Sequence, residues 1–527
     1  MIASAPQAGA GTDRLARGAR RVSALTMLSR VLGLVREQIF ALMLGAGVYS
    51  DAFLAAFRIP NLLRDLFAEG ALSTAFVPTY VSTLKNESRA AAYTLANRVM
   101  STLTIYLGTI AVLGMLFPQP VVSLVGRGFG PEKAALCQQL VRIMMPFLPA
   151  ISLAVVAMGA LNAEERYTTP ALASSMFNIV AILGGAVVYF ISPGGRIAVV
   201  VWASLTVVGG IAQLGIQVPP LWRMGFRPKL LPDLRLRDPG TRRIATLMAP
   251  ATLGVAAVQI NVVVNSSFAS QLSDGAISWL SYAFRLMQLP IGVFGVAVAT
   301  TALTHLSRDA ASRDWDALRA TLRRGLRMVL FLTVPSTVGL ALLGVPIIRL
   351  IYQHGRFSST ATLATANALS GYALGLCSYA AIKVVAPAYY ALGSTRVPLL
   401  ASVSAVAANL LWSFTTYHRF GHVALAVGTS LAATVNLVVL LVAFQIQIRG
   451  LFTVDFFSAV ARILLASLVM AAVVWFVSAR LEPLELQPHL FGWIIKVFVP
   501  VTLGAVVYFG AARLLRLEEA SALVRRR

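Results

Sequence analysis

Charge is scarce in this chain. Asp, Glu, Lys and Arg together make up 12% of its 527 residues, and acids are the scarcer kind, 20 against 44 bases. An ordinary soluble domain is about 25% charged, so a soluble globular class is excluded. Cysteine is nearly missing: Cys137 and Cys377 stand alone and far apart, and no disulfide framework or paired-cysteine metal site follows. The five histidines are scattered, and no HExxH motif is present. The glycine-rich run Gly126-Arg127-Gly128-Phe129-Gly130 lacks the Lys-Ser/Thr of a phosphate-binding loop, which argues against ATP bound to this chain as the energy source. No cofactor is expected, and a membrane potential or an ion gradient is the natural alternative. Residues 1–20 lack the apolar core of a signal peptide and read as a disordered cytoplasmic tail.

What the chain has is apolar length. It is 58% hydrophobic, with a mean hydropathy of +0.77. Runs of about 20 apolar residues, each able to cross a bilayer as a helix, recur along it. A transmembrane β-barrel would instead alternate in segments of about 10 residues. The expected fold is an all-α polytopic membrane protein with about 14 spans, at 22–45, 51–82, 92–117, 138–162, 170–192, 197–221, 244–270, 277–306, 325–351, 364–391, 397–417, 422–446, 457–479 and 491–515. The net charge of +24 would suit a nucleic-acid partner, but the bases fall in alternate connections, as the positive-inside rule requires. Arg14 to Arg21, the 222–243 connection, Arg308 to Arg324 and Arg525 to Arg527 all lie on one side, so both termini are expected in the cytoplasm.

The chain also repeats itself. Pairing Pro78 with Thr304, Pro120 with Pro346 and Pro170 with Pro398 gives offsets of 226, 226 and 228 residues. Two parallel halves of six spans follow, around a central cavity whose access alternates as the halves rock. The expected organisation is an N-terminal tail at 1–21, an N-lobe at 22–221, a basic linker at 222–243, a C-lobe at 244–446, two extra helices at 447–515 and a basic tail at 516–527.

Arg30 to Tyr80 concentrates charge where charge is expensive. Each ionised residue at membrane depth costs roughly 2.5–3.5 kcal/mol on insertion scales, yet this stretch keeps Arg30, Arg36, Glu37, Asp51, Arg58, Arg64, Asp65 and Glu69. On a regular helix Asp51, Arg58, Asp65 and Glu69 fall on one stripe, within about 40°. Arg58 could neutralise Asp51 and Asp65 and lock the helix, and Asp51 could cap it. Guanidinium stays charged and donates parallel hydrogen bonds, which suits phosphate. Arg30, Arg36 and Arg64, with Arg285, therefore compose a candidate pocket for a diphosphate. Arg30 and Arg36 would share a face only if their helix breaks near Gly33, and either could instead snorkel to the interface. Lys383 joins Arg58 as a candidate cavity residue. Gln259, Asn261 and Asn265 either bind helices together or help hold a coupling cation.

The stretch SRVLGLVREQIFALMLGAG…DAFLAAFRIPNLLRDLFAEGALSTAFVPTY resembles the MurJ (MviN) family of lipid II flippases. So do SYAFRLMQLPIGVFGVAVAT, IYQHGRFS and IKVVAPAYYALGSTRVP, and their order is preserved. The family belongs to the multidrug/oligosaccharidyl-lipid/polysaccharide exporter superfamily, with two six-helix lobes and two extra helices. The resemblance implies a non-enzymatic flippase in the inner membrane. It would move the undecaprenyl-pyrophosphate-linked precursor lipid II from the cytoplasmic to the periplasmic leaflet for peptidoglycan synthesis, alongside membrane lipids and cell-wall synthesis proteins. It places functional residues on Arg30, Arg36, Asp51, Arg64, Glu69 and Arg285, and a groove for the lipid tail on the last two spans. Three positions depart from the family pattern: Asp65 replaces a frequent second Arg, Phe284 a frequent Asp, and Asn265 a carboxylate found in some members. The last speaks against a sodium site of the family's kind. A related polysaccharide-lipid flippase or a drug exporter of the same architecture is the alternative, although a drug exporter would not need a cavity lined with arginines.

Overall fold

The computed structural model describes residues 8–66, 71–192, 194–482 and 490–524. Among them there are helices and no strands. The first compact unit, Met1–Val263, contains α1 (Ala8–Leu44), α2 (Val48–Arg64), α3 (Ala71–Asn86), α4 (Arg89–Leu116), α5 (Pro118–Val125), α6 (Pro131–Met144), α7 (Phe147–Ala163), α8 (Thr168–Ile191), α9 (Gly195–Gly215), α10 (Val218–Arg223) and most of α11 (Pro239–Ala269). The second, Val264–Arg527, contains the end of α11, then α12 (Ala276–Pro290), a π-helical turn at Ile291–Gly295, α13 (Val296–Ala311), α14 (Trp315–Leu342), α15 (Gly344–Tyr352) and α16 (Ser359–Ala373). It continues with α17 (Leu376–Ala391), α18 (Arg396–Gln447), α19 (Val454–Arg480), α20 (Leu490–Leu514) and α21 (Glu518–Val524). The boundary falls inside α11, beyond the expected 222–243 linker.

Helix starts follow local chemistry. Ser88 Oγ accepts the Ala91 N–H at the head of α4 (3.1 Å), and Asp314 Oδ1 accepts the Ala317 N–H at the head of α14 (2.9 Å). Each such cap is worth about 1 kcal/mol. These two caps stand 226 residues apart, and the correspondence runs on. Arg89 matches Trp315, Pro118 matches Gly344, Pro131 matches Ser359, Phe147 matches Leu376 and Thr168 matches Arg396, with offsets of 226 to 229. The proline pattern seen in the sequence is thus the trace of a repeated order of helices.

Helices overlap all fourteen expected spans. Among the described residues, nine helices are long and apolar enough to cross a membrane, or ten if the bent pair α16 and α17 is one span. The helices in the charged segment Arg30 to Tyr80 are not among the nine. The helix α18 has 52 residues, about 78 Å if straight, far more than the roughly 30 Å of a hydrocarbon core. It is not straight. Gly421 has φ 59° and ψ −142°, and the chain doubles back there. The Trp412 indole N–H reaches the Ala424 carbonyl at 3.0 Å, whereas twelve residues of straight helix would separate them by about 18 Å. A Cβ at Gly421 meets nothing within 4 Å, so only the backbone conformation demands glycine. Gly421→Ala is expected to cost about 1–3 kcal/mol, seen as a lower melting temperature without loss of helix content.

In lipid, helices associate by close packing rather than by hydrophobic drive. Gly375 of the α16–α17 bend lies so close to α18 that a Cβ there would sit 2.7 Å from the Ser430 Cα. Ser430 Oγ donates to the Gly371 carbonyl at 2.7 Å.

The basic connection before α11 is a strap. It lies along α4 and is held by side chains of that helix. Asn97 donates to the Arg227 carbonyl (3.0 Å) and accepts the Lys229 N–H (2.9 Å). Ser101 donates to the Lys229 carbonyl (3.2 Å) and accepts the Leu231 N–H (3.0 Å). Thr102 accepts the Asp233 N–H (2.9 Å), Tyr106 donates to the Leu234 carbonyl (2.8 Å), and Arg98 pairs with Asp238. The Asp233 carboxylate accepts the N–H groups of Arg237 and Asp238, each at 2.9 Å. Burial pushes its carboxyl up, but those two bonds and the charges of Arg98 and Arg237 outweigh it and hold the group below the ordinary value.

Candidate functional site

In the first unit the candidate residues fall into three separate polar contacts. The first is on α1, which runs unbroken through Gly33, so Arg30 and Arg36 lie about 120° apart. Arg30 is exposed. Arg36 is half-buried; its Nη2 lies 3.3 Å from Glu37 Oε1, and its guanidinium carbon is 5.1 Å from the centre of the Phe177 ring. Helix α8 supplies that ring and also ties α1 in place, because Asn178 Nδ2 donates to the Ser29 carbonyl at 3.1 Å.

The second contact is at the head of α2. Gly47 occupies the N-cap position, and Ser50 Oγ accepts the Gly47 N–H (2.8 Å). The capping role considered for Asp51 is therefore filled by its neighbours. Asp51 is 1% exposed, and its Oδ2 lies 2.9 Å from Lys133 Nζ. Lys133 stands in the first turn of α6, with its ammonium 4.5 Å from the centre of the Phe129 ring. Lys133 is not among the residues that the sequence singles out. The two residues are 82 positions apart, and no spacing rule joins them.

The third contact closes α2. Arg64 Nε and Nη2 donate to Asp65 Oδ1 at 3.2 and 2.9 Å. Asp65 Oδ2 accepts from Gln259 of α11 at 2.9 Å and from Asn61 at 3.4 Å. Lys133 and Arg64 thus bring positive charge to the two carboxylates for which Arg58 was considered. Arg58 itself is half-buried on the same helix. Glu69 lies outside the described residues.

In the second unit, Arg285 is exposed on α12, between buried Leu286 and a Phe284 ring packed on Tyr372 and Tyr379. Lys383 is exposed on α17 next to buried Val384. Asn265 joins α11 to α18: its Nδ2 donates to Thr429 Oγ1 (3.1 Å), and its Oδ1 accepts from Asn409 Nδ2 (2.9 Å). That geometry is the helix-binding role open to a buried amide. Among the described residues, no group of three or more His, Cys, Asp and Glu could hold a metal ion.

Guanidinium groups, planar forks of five N–H donors that stay charged, stand on α1 and α2 in the first unit and on α12 in the second.

Comparison with known proteins gives a consistent result. The family described as Lipid II flippase MurJ matches residues 40–493. A lipid II flippase MurJ of Burkholderia cenocepacia is 32% identical over 502 residues, covering 94% of this chain and 96% of that protein. A probable lipid II flippase MurJ of Vibrio cholerae is 34% identical over 474 residues, covering 88% and 89%. Among solved structures, a lipid II flippase MurJ in an inward closed conformation superposes with a TM-score of 0.79 at 26% identity, over 94% of this chain and 99% of that one. An inward-facing multidrug resistance MATE family transporter of the MOP superfamily superposes at 0.63 with 16% identity over 82% of this chain, which shows the fold alone. The breadth of these matches, on a polytopic all-helical fold with arginines in its apolar helices, makes this chain a member of the lipid II flippase MurJ family.

Proposed function

We propose that this chain translocates lipid II from the cytoplasmic to the periplasmic leaflet of the inner membrane by alternating access. The observation that carries the reading is the near full-length match to lipid II flippases. The arginines on α1, α2 and α12 support it, because a diphosphate is the group they are chemically suited to hold. Arg30, Arg36, Arg64 and Arg285 are the proposed phosphate ligands, with Asp51, Glu69, Arg58 and Lys383 as further residues of the path. The lipid tail is assigned to α19 and α20, which pack on one another within the second unit. Both termini face the cytoplasm in this reading, since the basic connections fall on that side. The protein carries a lipid rather than transforming it, and cell-wall synthesis proteins are its proposed partners. Membrane potential resets the empty cationic site, at about 2.3 kcal/mol per charge per 100 mV.

The test is lipid II translocation in cells depleted of their own flippase and supplied with this chain. Rescue is the expected result. Failure to rescue by a correctly inserted protein would redirect the assignment to a related exporter. Proteoliposome transport indifferent to both potential and ion gradients would remove the coupling step.

A further inference from the structure

We propose that the first unit holds an anionic phospholipid at a fixed site, one acyl chain seated in a crevice between α4, α7 and α9 and the phosphate held by the basic strap. The crevice has a volume of about 360 Å³. Met100, Leu153 and Leu214 line it, and Trp222, Lys229 and Leu230 close it on the strap side. Three polar residues of α4 also line it, but Asn97 and Ser101 bond to the strap's backbone and Thr104 Oγ1 donates to the Met100 carbonyl at 2.7 Å. Their polarity is already satisfied, and the interior is left suited to hydrocarbon.

The crevice runs along α4 from Asn97 to Thr104, about 10 Å of helix, within one half of a hydrocarbon core of roughly 30 Å.

The strap has the composition of an interfacial anchor. Trp222 is 53% exposed and Leu230 76% exposed, and Arg223, Arg227 and Lys229 are interleaved with them. Tryptophan and leucine go to the acyl boundary, while Lys and Arg go to headgroup phosphates. No acid occurs between Gln217 and Pro232, and the first to follow, Asp233, is tied to two backbone N–H groups. The Lys229 ammonium has no carboxylate partner among the described residues, while its backbone is bonded to Asn97 and Ser101. A cation at the mouth of an apolar slot selects an anionic lipid over a zwitterionic one. The site is independent of the proposed lipid II path and stands or falls without it.

The experiment is native mass spectrometry of the full-length protein released from bilayers of mixed phosphatidylglycerol and phosphatidylcholine. The intact chain is expected to retain phosphatidylglycerol preferentially. Arg223→Gln combined with Lys229→Gln should lower that preference about thirtyfold. Leu153→Trp, which fills the slot, should abolish the retained lipid, and Leu214→Phe on a different helix should reduce it in the same sense. Melting temperatures in detergent establish that each variant is folded, and two filling variants guard against the loss of one. Equal retention of both lipids would overturn the anionic assignment. Sensitivity to the charge changes without sensitivity to either filling variant would mean surface attraction with no seated chain. Indifference to every variant would place the retained lipid elsewhere and end the proposal.

Discussion

Lys133→Met is expected to destabilise the protein by about 3–5 kcal/mol, among the largest single-residue effects this structure implies. The reason is what it leaves behind. Asp51 is 1% exposed, and its Oδ2 lies 2.9 Å from the ammonium that the substitution removes. Methionine fills similar space but leaves an ionised carboxylate inside α2 with its cation gone, and the contact with the Phe129 ring is lost as well. The double substitution Asp51→Leu with Lys133→Met should recover most of the loss, because a buried ion pair replaced by apolar side chains is often neutral or better. Equilibrium unfolding in mild detergent measures both. A single variant as stable as the parent would mean that the pair is not desolvated. The double variant also separates two roles for Asp51. If it is stable and transports, Asp51 is structural; if it is stable and inert, Asp51 serves the transport path.

Arg36→Ala is expected to lower translocation about ten- to hundredfold, the range of one lost hydrogen-bonded contact to a charged group. The guanidinium is positioned for this role from two sides, by Glu37 at 3.3 Å and by the Phe177 ring at 5.1 Å. Removing it also strips Glu37 of this partner, and Glu37 is 7% exposed. The comparison is therefore cleaner in a Glu37→Gln background, where no carboxylate is left buried. Arg36→Lys should restore only part of the activity, since an ammonium is a point charge and cannot form the planar fork. The readout is lipid II translocation in depleted cells at matched levels of inserted protein. Full activity of Arg36→Ala would reduce Arg36 to a fastening between α1 and α8.

The sequence spoke clearly where local chemistry decides. Apolar length announced the helices, and the offset prolines announced the repeat, later seen in caps at Ser88 and Asp314. The arginines stood out because charge in an apolar run is costly wherever the helix finally lies. Partners were another matter. Asp65 stands beside Arg64 in the chain, yet the stripe argument looked seven residues back to Arg58. Its bond to Gln259 spans 194 residues. Lys133 carried no signal because a single lysine near a proline has no periodicity to read. The strap was hidden for a similar reason: Asn97, Ser101, Thr102 and Tyr106 look like ordinary residues of an apolar helix until a second segment lies against them.

The reversal at Gly421 bears on how this protein is made. Two apolar arms joined by one glycine give a nascent chain no stretch in which to pause between them. The position of the second arm in the membrane is thereby tied to that of the first. The same brevity means that a tag inserted beside the exposed His418, Arg419 and Phe420 would displace one arm against the other.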